Sequence, residues 1–299
     1  MKFKYWIKAA RLRTLPLAFS CVLISSSLVI IIQGHLSIKT LLLTLTTTLL
    51  LQILSNFAND YGDAMKNVDK NRNGEQRMVQ SGKISKYQMK IAIVVFSILS
   101  LIIGSYLVFS VFHDEIFKIL IFLSLGVGAI VAAIKYTVGK SAYGYKAFGD
   151  LSVFIFFGLI GVIGSYYLFA KNFHWITIPS ALFTGLMSCA VLNLNNMRDY
   201  ENDKKCNKVT LVVKMGIDKS KKYHLSLLVL SIVSFISIVI FTKDYKYLFS
   251  MAPLFFVLRH MYFLNKHHAN NTLDSQLKTI ALSCFGCSAL SLITGILIS

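Results

Sequence analysis

The sequence predicts an all-α, polytopic membrane protein of about nine transmembrane helices, and three observations carry that prediction. Of its 299 residues, 55% are hydrophobic, and only three are proline. Apolar runs of about 20 residues, the length that crosses the hydrocarbon core as a helix, recur along the whole chain. Between these runs, Lys and Arg crowd into every second connection.

In chain order the expected spans are 15–33, 38–58, 89–112, 116–138, 148–170, 176–197, 223–242, 245–263 and 278–298. The basic segment ahead of the first span (Lys2, Lys4, Lys8, Arg11, Arg13) resembles the start of a signal peptide, but no small-residue cleavage site follows it, so the first helix is read as retained. Residues 1–299 then form a single transmembrane domain. Of the 31 Lys and Arg, 26 lie in the N-terminal segment and the 2–3, 4–5, 6–7 and 8–9 connections, leaving Lys39, Lys118, Lys171, Lys243 and Lys246 on the other side. The positive-inside rule therefore places the N-terminus in the cytoplasm, and the expected location is the bacterial cytoplasmic (inner) membrane. Topology and attraction to anionic lipid account for the net charge of +18 without any nucleic acid.

The cysteines carry no chemistry by this reading. Cys284 and Cys287 form a CxxC inside the last apolar span with no second pair, so they read as small helix-packing residues. Cys21, Cys189 and Cys206 are scattered. His267 and His268 lie together in a polar loop and read as a solvated pair.

The acids are informative because they are scarce and clustered. Of thirteen Asp and Glu, Asp60, Asp63, Asp69 and Glu75 belong to one place and Asp199, Glu201, Asp203 and Asp218 to another. Both places have the same layout: an apolar span ends in amides, aspartates follow, and a basic loop comes next. Asn56 precedes Asp60 by four residues, as Asn195 precedes Asp199, an internal pseudo-repeat about 139 residues apart. At helical spacing Asn56, Asn59, Asp60 and Asp63 form one polar stripe, and Asn195, Asn196, Asp199 and Asp203 another. Four carboxylates gathered at cytoplasmic helix ends need a cation, and hard oxygen donors suit Mg²⁺ shared with phosphate oxygens. Lys66, Arg72 and Arg77 after the first stripe, and Arg198, Lys204, Lys205 and Lys208 around the second, complete the description of a diphosphate site.

The motif text resembles a known family. NDxxD (Asn59, Asp60, Asp63) with Asn56 upstream, and the later DxxxD (Asp199, Asp203), are similar to the two aspartate-rich motifs of the UbiA superfamily of intramembrane prenyltransferases. RMVQSGKIS (Arg77 to Ser85), FGDLSVFIFFGLIGVIGSYY (Phe148 to Tyr167) and NLNNMRDYENDKKCNKVTL (Asn193 to Leu211) look like the branch that prenylates 1,4-dihydroxy-2-naphthoate in menaquinone synthesis. Leu12 stands where that branch usually has Pro, Ser141 where Pro is expected, and Asn207 where it usually has Gly.

The resemblance implies a UbiA-type helical bundle whose 2–3 loop (about 60–88) and 6–7 loop (about 198–222) cap the active site. It implies Mg²⁺ on Asp60, Asp63, Asp199 and Asp203, clamping a polyprenyl diphosphate. Asn56, Asn59, Asn195 and Asn196 would orient carboxylates and phosphate oxygens. Arg77, Lys140, Arg198 and Lys208 would bond phosphate or the acceptor's carboxylate, with Gln80, Ser81 and Tyr136 as further substrate contacts. Tyr61, Tyr136 or Phe154 could shield the allylic cation, although ordinary helix packing is the competing role for each. The ring would then take the prenyl group with loss of CO₂, giving demethylmenaquinone. Three other readings compete. Prenylation of 4-hydroxybenzoate lies within the same superfamily. A transporter would carry its ionisable residues near the midplane. A cytidine-alcohol phosphotransferase would need a glycine and arginine that are missing after the first aspartates.

Overall fold

The computed structural model describes residues 2–66, 68, 76–266 and 273–299, so Arg72, Asp69, Glu75, His267 and His268 lie outside the described residues. Among the described residues, nine helical segments are long and apolar enough to cross a membrane, and each coincides with an expected span. The helices in order are α1 (Lys2–Ala10), α2 (Leu15–Gln33), α3 (Ile38–Met65), α4 (Lys86–Phe112), α5 (Ile116–Lys135), α6 (Gly149–Val153), α7 (Ser165–Ala170), α8 (Thr177–Arg198), α9 (Tyr200–Lys205), α10 (Leu211–Met215), α11 (Ile217–Thr242), α12 (Leu254–Lys266) and α13 (Leu273–Ile298). A π-helical stretch, Phe154–Gly164, joins α6 to α7 within the fifth span.

Several boundaries differ from expectation, among them the starts of α11 at Ile217 and α13 at Leu273, five or six residues ahead of the expected 223 and 278. The basic N-terminal segment forms a helix of its own, α1, ahead of the first span. Helix α3 continues to Met65, so the whole first stripe sits on regular helix.

The chain divides into two compact units. One comprises Met1–Leu15, Leu42–Gly149 and Asp199–Lys214; the other comprises Pro16–Leu41, Asp150–Arg198 and Met215–Ser299.

The first unit is built around the end of α3. Leu54, Phe57 and Ala58 are buried with Ala9 and Ala10 of α1, with Met78, Val79 and Ile84 of the following connection, and with Met89 and Ile93 of α4. The Phe57 ring meets Trp6 and Phe96 edge to face, at centroid distances of 5.5 and 5.1 Å. The start of α4 is legible in SKYQ: the Ser85 hydroxyl accepts from the Gln88 N–H, and the Gln88 side chain accepts from the Ser85 N–H, a capping box. Along α4 and α5, Ile91, Val94, Ile98, Leu120 and Val131 are exposed, the face such helices offer to lipid.

The second unit depends on small and hydroxylic residues, as membrane helix packing does. The π-helical stretch bonds its carbonyls at i→i+5 spacing, and their second lone pairs remain open to neighbouring helices. Neighbouring helices supply the donors: Cys21 Sγ and Thr184 Oγ1 donate to Phe157 O at 2.8 and 3.0 Å, and Ser25 Oγ donates to Val162 O at 2.9 Å. Gly158 lies so close to α8 that a Cβ there would come within 2.7 Å of the Ala181 carbonyl. Cys284 and Cys287 are buried free thiols on α13, in agreement with a packing role.

Candidate active site

All four motif aspartates fall in the first unit. Asp60, Asp63, Asp199 and Asp203 are each at most 4% exposed, a burial that ionised carboxylates tolerate only with partners. The partners differ, and the differences sort the roles.

Asp63 meets two side chains from distant parts of the chain. Its Oδ2 accepts from Arg77 Nη2 at 2.8 Å, and its Oδ1 accepts from the Tyr145 hydroxyl at 2.5 Å. Tyr145 comes from the 4–5 connection, which returns to this place because Thr137 Oγ1 donates to the Ala58 carbonyl and to Asn59 Oδ1, at 2.9 and 3.2 Å. That approach requires glycine at 62, where a Cβ would stand 2.6 Å from Thr137 Oγ1.

Two cations share the Tyr145 ring. Lys66 Nζ sits 3.7 Å from its centroid and Lys208 Nζ 5.5 Å. Lys208 also pairs with Asp203, at 3.5 Å. A single aromatic ring therefore joins the first motif, through Asp63, to the second, through Lys208 and Asp203. Burial lowers the pKa of Lys66 below its ordinary value, the nearby Asp63 opposes that shift, and Lys208 adds to it.

The second motif is not one continuous stripe. Helix α8 stops at Arg198, Asp199 takes a non-helical conformation (φ −92°, ψ 6°), and Asp203 stands on the new short helix α9. The break turns α9 so that Asn202 Nδ2 donates to Val68 O at 2.8 Å, which holds the two loops together. The loop then closes: Lys208 N–H donates to Asp203 O, and Ala147 N–H to Val209 O. Asn207, in place of the usual glycine, adopts a positive φ of 54°, a left-handed conformation that asparagine accepts more readily than most residues.

Several of the expected site residues have protein partners in the structure. Asn56 does not face a carboxylate: its Nδ2 donates to Ala10 O at 2.8 Å and to Thr14 Oγ1 at 3.0 Å, so it anchors the N-terminal helix. Arg198 belongs to the second unit, where it is buried, donates to Asn195 Oδ1 and forms an ion pair with Asp274 at 2.6 Å. The guanidinium expected on phosphate thus meets an acid on the last helix and the Asn195 oxygen. Asn196 is buried in that unit too. Tyr136 packs edge-on against Tyr143, and its carbonyl accepts from the Gly144 N–H. Lys140 is exposed at the turn. Ser81 Oγ donates to the Met78 carbonyl, and Gln80 is half-buried beside it. Tyr145 lies outside both motifs, and the sequence marks it only by its place in the aromatic run YGYKAFGD.

Among the described residues no three His, Cys, Asp or Glu side chains converge on one metal position. The donor set nevertheless fits Mg²⁺, which takes one or two carboxylates and completes its shell with phosphate oxygens and water. Asp63, Asp199 and Asp203, all buried and all in one unit with the cations Arg77, Lys66 and Lys208, are donors of that kind.

A helical membrane bundle with aspartates and basic side chains gathered at helix ends defines a class, and comparison with known proteins agrees. The chain belongs to the UbiA prenyltransferase family, whose model matches residues 18–284. It is 41% identical over 256 residues to a 1,4-dihydroxy-2-naphthoate octaprenyltransferase of Haemophilus influenzae, an alignment covering 84% of this chain and 82% of that protein. It is 44% identical over 229 residues to the protein of the same name from Escherichia coli, covering 76% and 74%. Among solved structures, a UbiA homologue from Archaeoglobus fulgidus superposes with a TM-score of 0.67 at 15% identity, covering 98% of both chains. The structure of a UbiA homologue from that organism bound to GPP and Mg²⁺ superposes at 0.63 and 15% identity, covering 97% of this chain and 99% of that one. At such identity these structures establish the fold.

Proposed function

We propose that this protein transfers a polyprenyl group from polyprenyl diphosphate to 1,4-dihydroxy-2-naphthoate, with release of CO₂ and diphosphate, and builds the skeleton of demethylmenaquinone. The observation that carries the reading is the arrangement around Tyr145: Asp63 on its hydroxyl, Lys66 and Lys208 on its ring, and Asp203 on Lys208. It collects carboxylates and ammonium groups in one place, as a metal-bound diphosphate requires. The 41–44% identity to proteins named for the naphthoate reaction supports the acceptor.

Asp63, Asp199 and Asp203 would hold Mg²⁺. When bound, the metal supplies positive charge that stabilises the departing diphosphate. The chain's own residues do the rest. Lys66, Arg77 and Lys208 offer charge-assisted donors to phosphate oxygens, and Tyr145 keeps the two lysines from drifting into solvent. The isoprenoid tail can lie along apolar helix faces in the bilayer, where the allylic cation is shielded from water. The ring then attacks, and the carboxylate leaves as CO₂ when the prenyl group takes its place. The distribution of Lys and Arg supports a site on the cytoplasmic face of the cytoplasmic membrane, with the N-terminus inside.

The test follows the carboxylate. Membranes containing the protein, Mg²⁺ and a polyprenyl diphosphate should release one labelled CO₂ per prenyl transferred from carboxyl-labelled 1,4-dihydroxy-2-naphthoate, and EDTA should stop the reaction reversibly. Prenylated 4-hydroxybenzoate with its label retained would place the protein in the neighbouring branch. Full activity in EDTA would remove the metal from the reaction.

A further inference from the structure

Asp60 is set apart from the other motif aspartates by what surrounds it. Its two carboxylate oxygens accept from consecutive backbone amides, Oδ2 from the Met78 N–H at 2.9 Å and Oδ1 from the Val79 N–H at 3.1 Å, and the residue is 1% exposed. These amides open a tight turn that closes on itself. Ser81 N–H donates to Arg77 O, Gly82 N–H to Val79 O, and Lys83 and Ile84 N–H both to Met78 O. Gly82 adopts the positive φ (70°) that such a turn needs. Met78, Val79 and Ile84 fix the turn in the apolar core beside α3. The residue directly before the two amides is Arg77, whose guanidinium reaches Asp63, one turn beyond Asp60 on α3.

We propose that Asp60 is a positioning residue and not a metal ligand: it pins the turn at Met78 and Val79, and through that turn it aims Arg77 at Asp63. Two peptide dipoles point their positive ends at the Asp60 carboxylate. They satisfy its charge and disfavour a cation on the same oxygens. The carboxylate in turn gives two buried amides the acceptors they would otherwise lack. The stretch MVQSGKI thereby acquires a mechanical role, as the cap that Asp60 holds down. The kinetic part of this inference rests on the prenyl-transfer reading, whereas the anchoring part does not.

The experiment uses the full chain in lipid nanodiscs, with the variants D60N, D63N, R77Q and D60N/R77Q. Three quantities are followed: the rate of tryptic cleavage after Lys83, a site that every variant keeps, the KM for polyprenyl diphosphate, and the half-saturating Mg²⁺ concentration. Asparagine retains one acceptor and sets an NH₂ against the other amide, so the turn should open more often. Cleavage in D60N is expected to quicken on the order of tenfold, and KM to rise by about as much, the usual consequence of losing a buried hydrogen bond to a charged group. Half-saturating Mg²⁺ should stay within roughly twofold of the unsubstituted protein, whereas D63N should raise it strongly. The double variant should be no worse than R77Q alone, because both changes break one chain of contacts.

The proposal is overturned if D60N raises half-saturating Mg²⁺ as far as D63N does, if the D60N and R77Q effects multiply, or if cleavage is unchanged. Should D60N fail to insert, D60E serves: faster cleavage with unaltered Mg²⁺ dependence supports the anchor, and shifted Mg²⁺ dependence with unaltered cleavage refutes it. If the unsubstituted protein transfers no prenyl group, the enzymatic reading fails, and the cleavage comparison alone still decides the anchor.

Discussion

Replacing Tyr145 separates the two roles its position implies. Y145F keeps the ring and deletes the hydroxyl that donates to Asp63 Oδ1 at 2.5 Å. A hydrogen bond to a charged group contributes about 1.5–3 kcal/mol, and since Tyr145 is only half-buried the lower end applies, or about tenfold in kcat/KM. Y145L removes the ring as well, and with it the seat of the Lys66 and Lys208 ammonium groups at 3.7 and 5.5 Å from the centroid. A partly exposed cation–π contact contributes about 0.5–1 kcal/mol, and the more distant Lys208 contributes at the bottom of that range. Together the two contacts contribute about 1–1.5 kcal/mol, roughly a further five- to tenfold, and the loss should fall on the KM for polyprenyl diphosphate, because the lysines address phosphate. Steady-state prenyl transfer in nanodiscs, with thermal unfolding of each variant as a control for folding, measures both. Near-native kinetics for Y145F would refute the claim that Tyr145 orients Asp63. Equal kinetics for Y145F and Y145L would refute the role of the ring in holding the lysines.

Two further outcomes follow from the same geometry. G62A places a methyl 2.6–2.8 Å from Thr137, which must shift, and its hydrogen bonds to Ala58 O and Asn59 must shift with it. Prenyl transfer should fall at least about tenfold while the protein still inserts, since overpacking costs typically about 1–3 kcal/mol; unaltered kcat/KM would show that the 4–5 connection need not meet α3 this closely. The lowered pKa of Lys66 means that its charge is lost at a lower pH than that of an ordinary lysine, so diphosphate affinity should weaken as pH rises through that value. K66R, which stays protonated, should move this alkaline limb of the KM profile to higher pH, and an unmoved limb would assign it to another group.

The course of the chain through the membrane is set by sequence-local physics. Each span needs only enough consecutive apolar residues to satisfy the hydrocarbon core, and each connection only its share of Lys and Arg, so the nine spans among the described residues could be read directly. The same holds for the aspartates: charge is so costly in an apolar chain that clusters such as NDYGD and RDYEND mark function by themselves. The capping box at Ser85 and Gln88 is local too. The distribution of partners among these polar groups depended on tertiary structure. Asn56 and Asn59 lie on one helix face in the sequence, yet one turns to Ala10 and Thr14 and the other to Thr137. Arg198 resembles the other basic residues of its loop until Asp274, 76 residues onward, is brought against it. Asp60 and Asp63 are three residues apart and chemically identical, but one meets two backbone amides and the other an arginine and a tyrosine. A buried polar atom must find a partner, and helical spacing specifies the face it occupies. The group that arrives opposite that face is decided by where distant connections return, and that is a property of the folded chain.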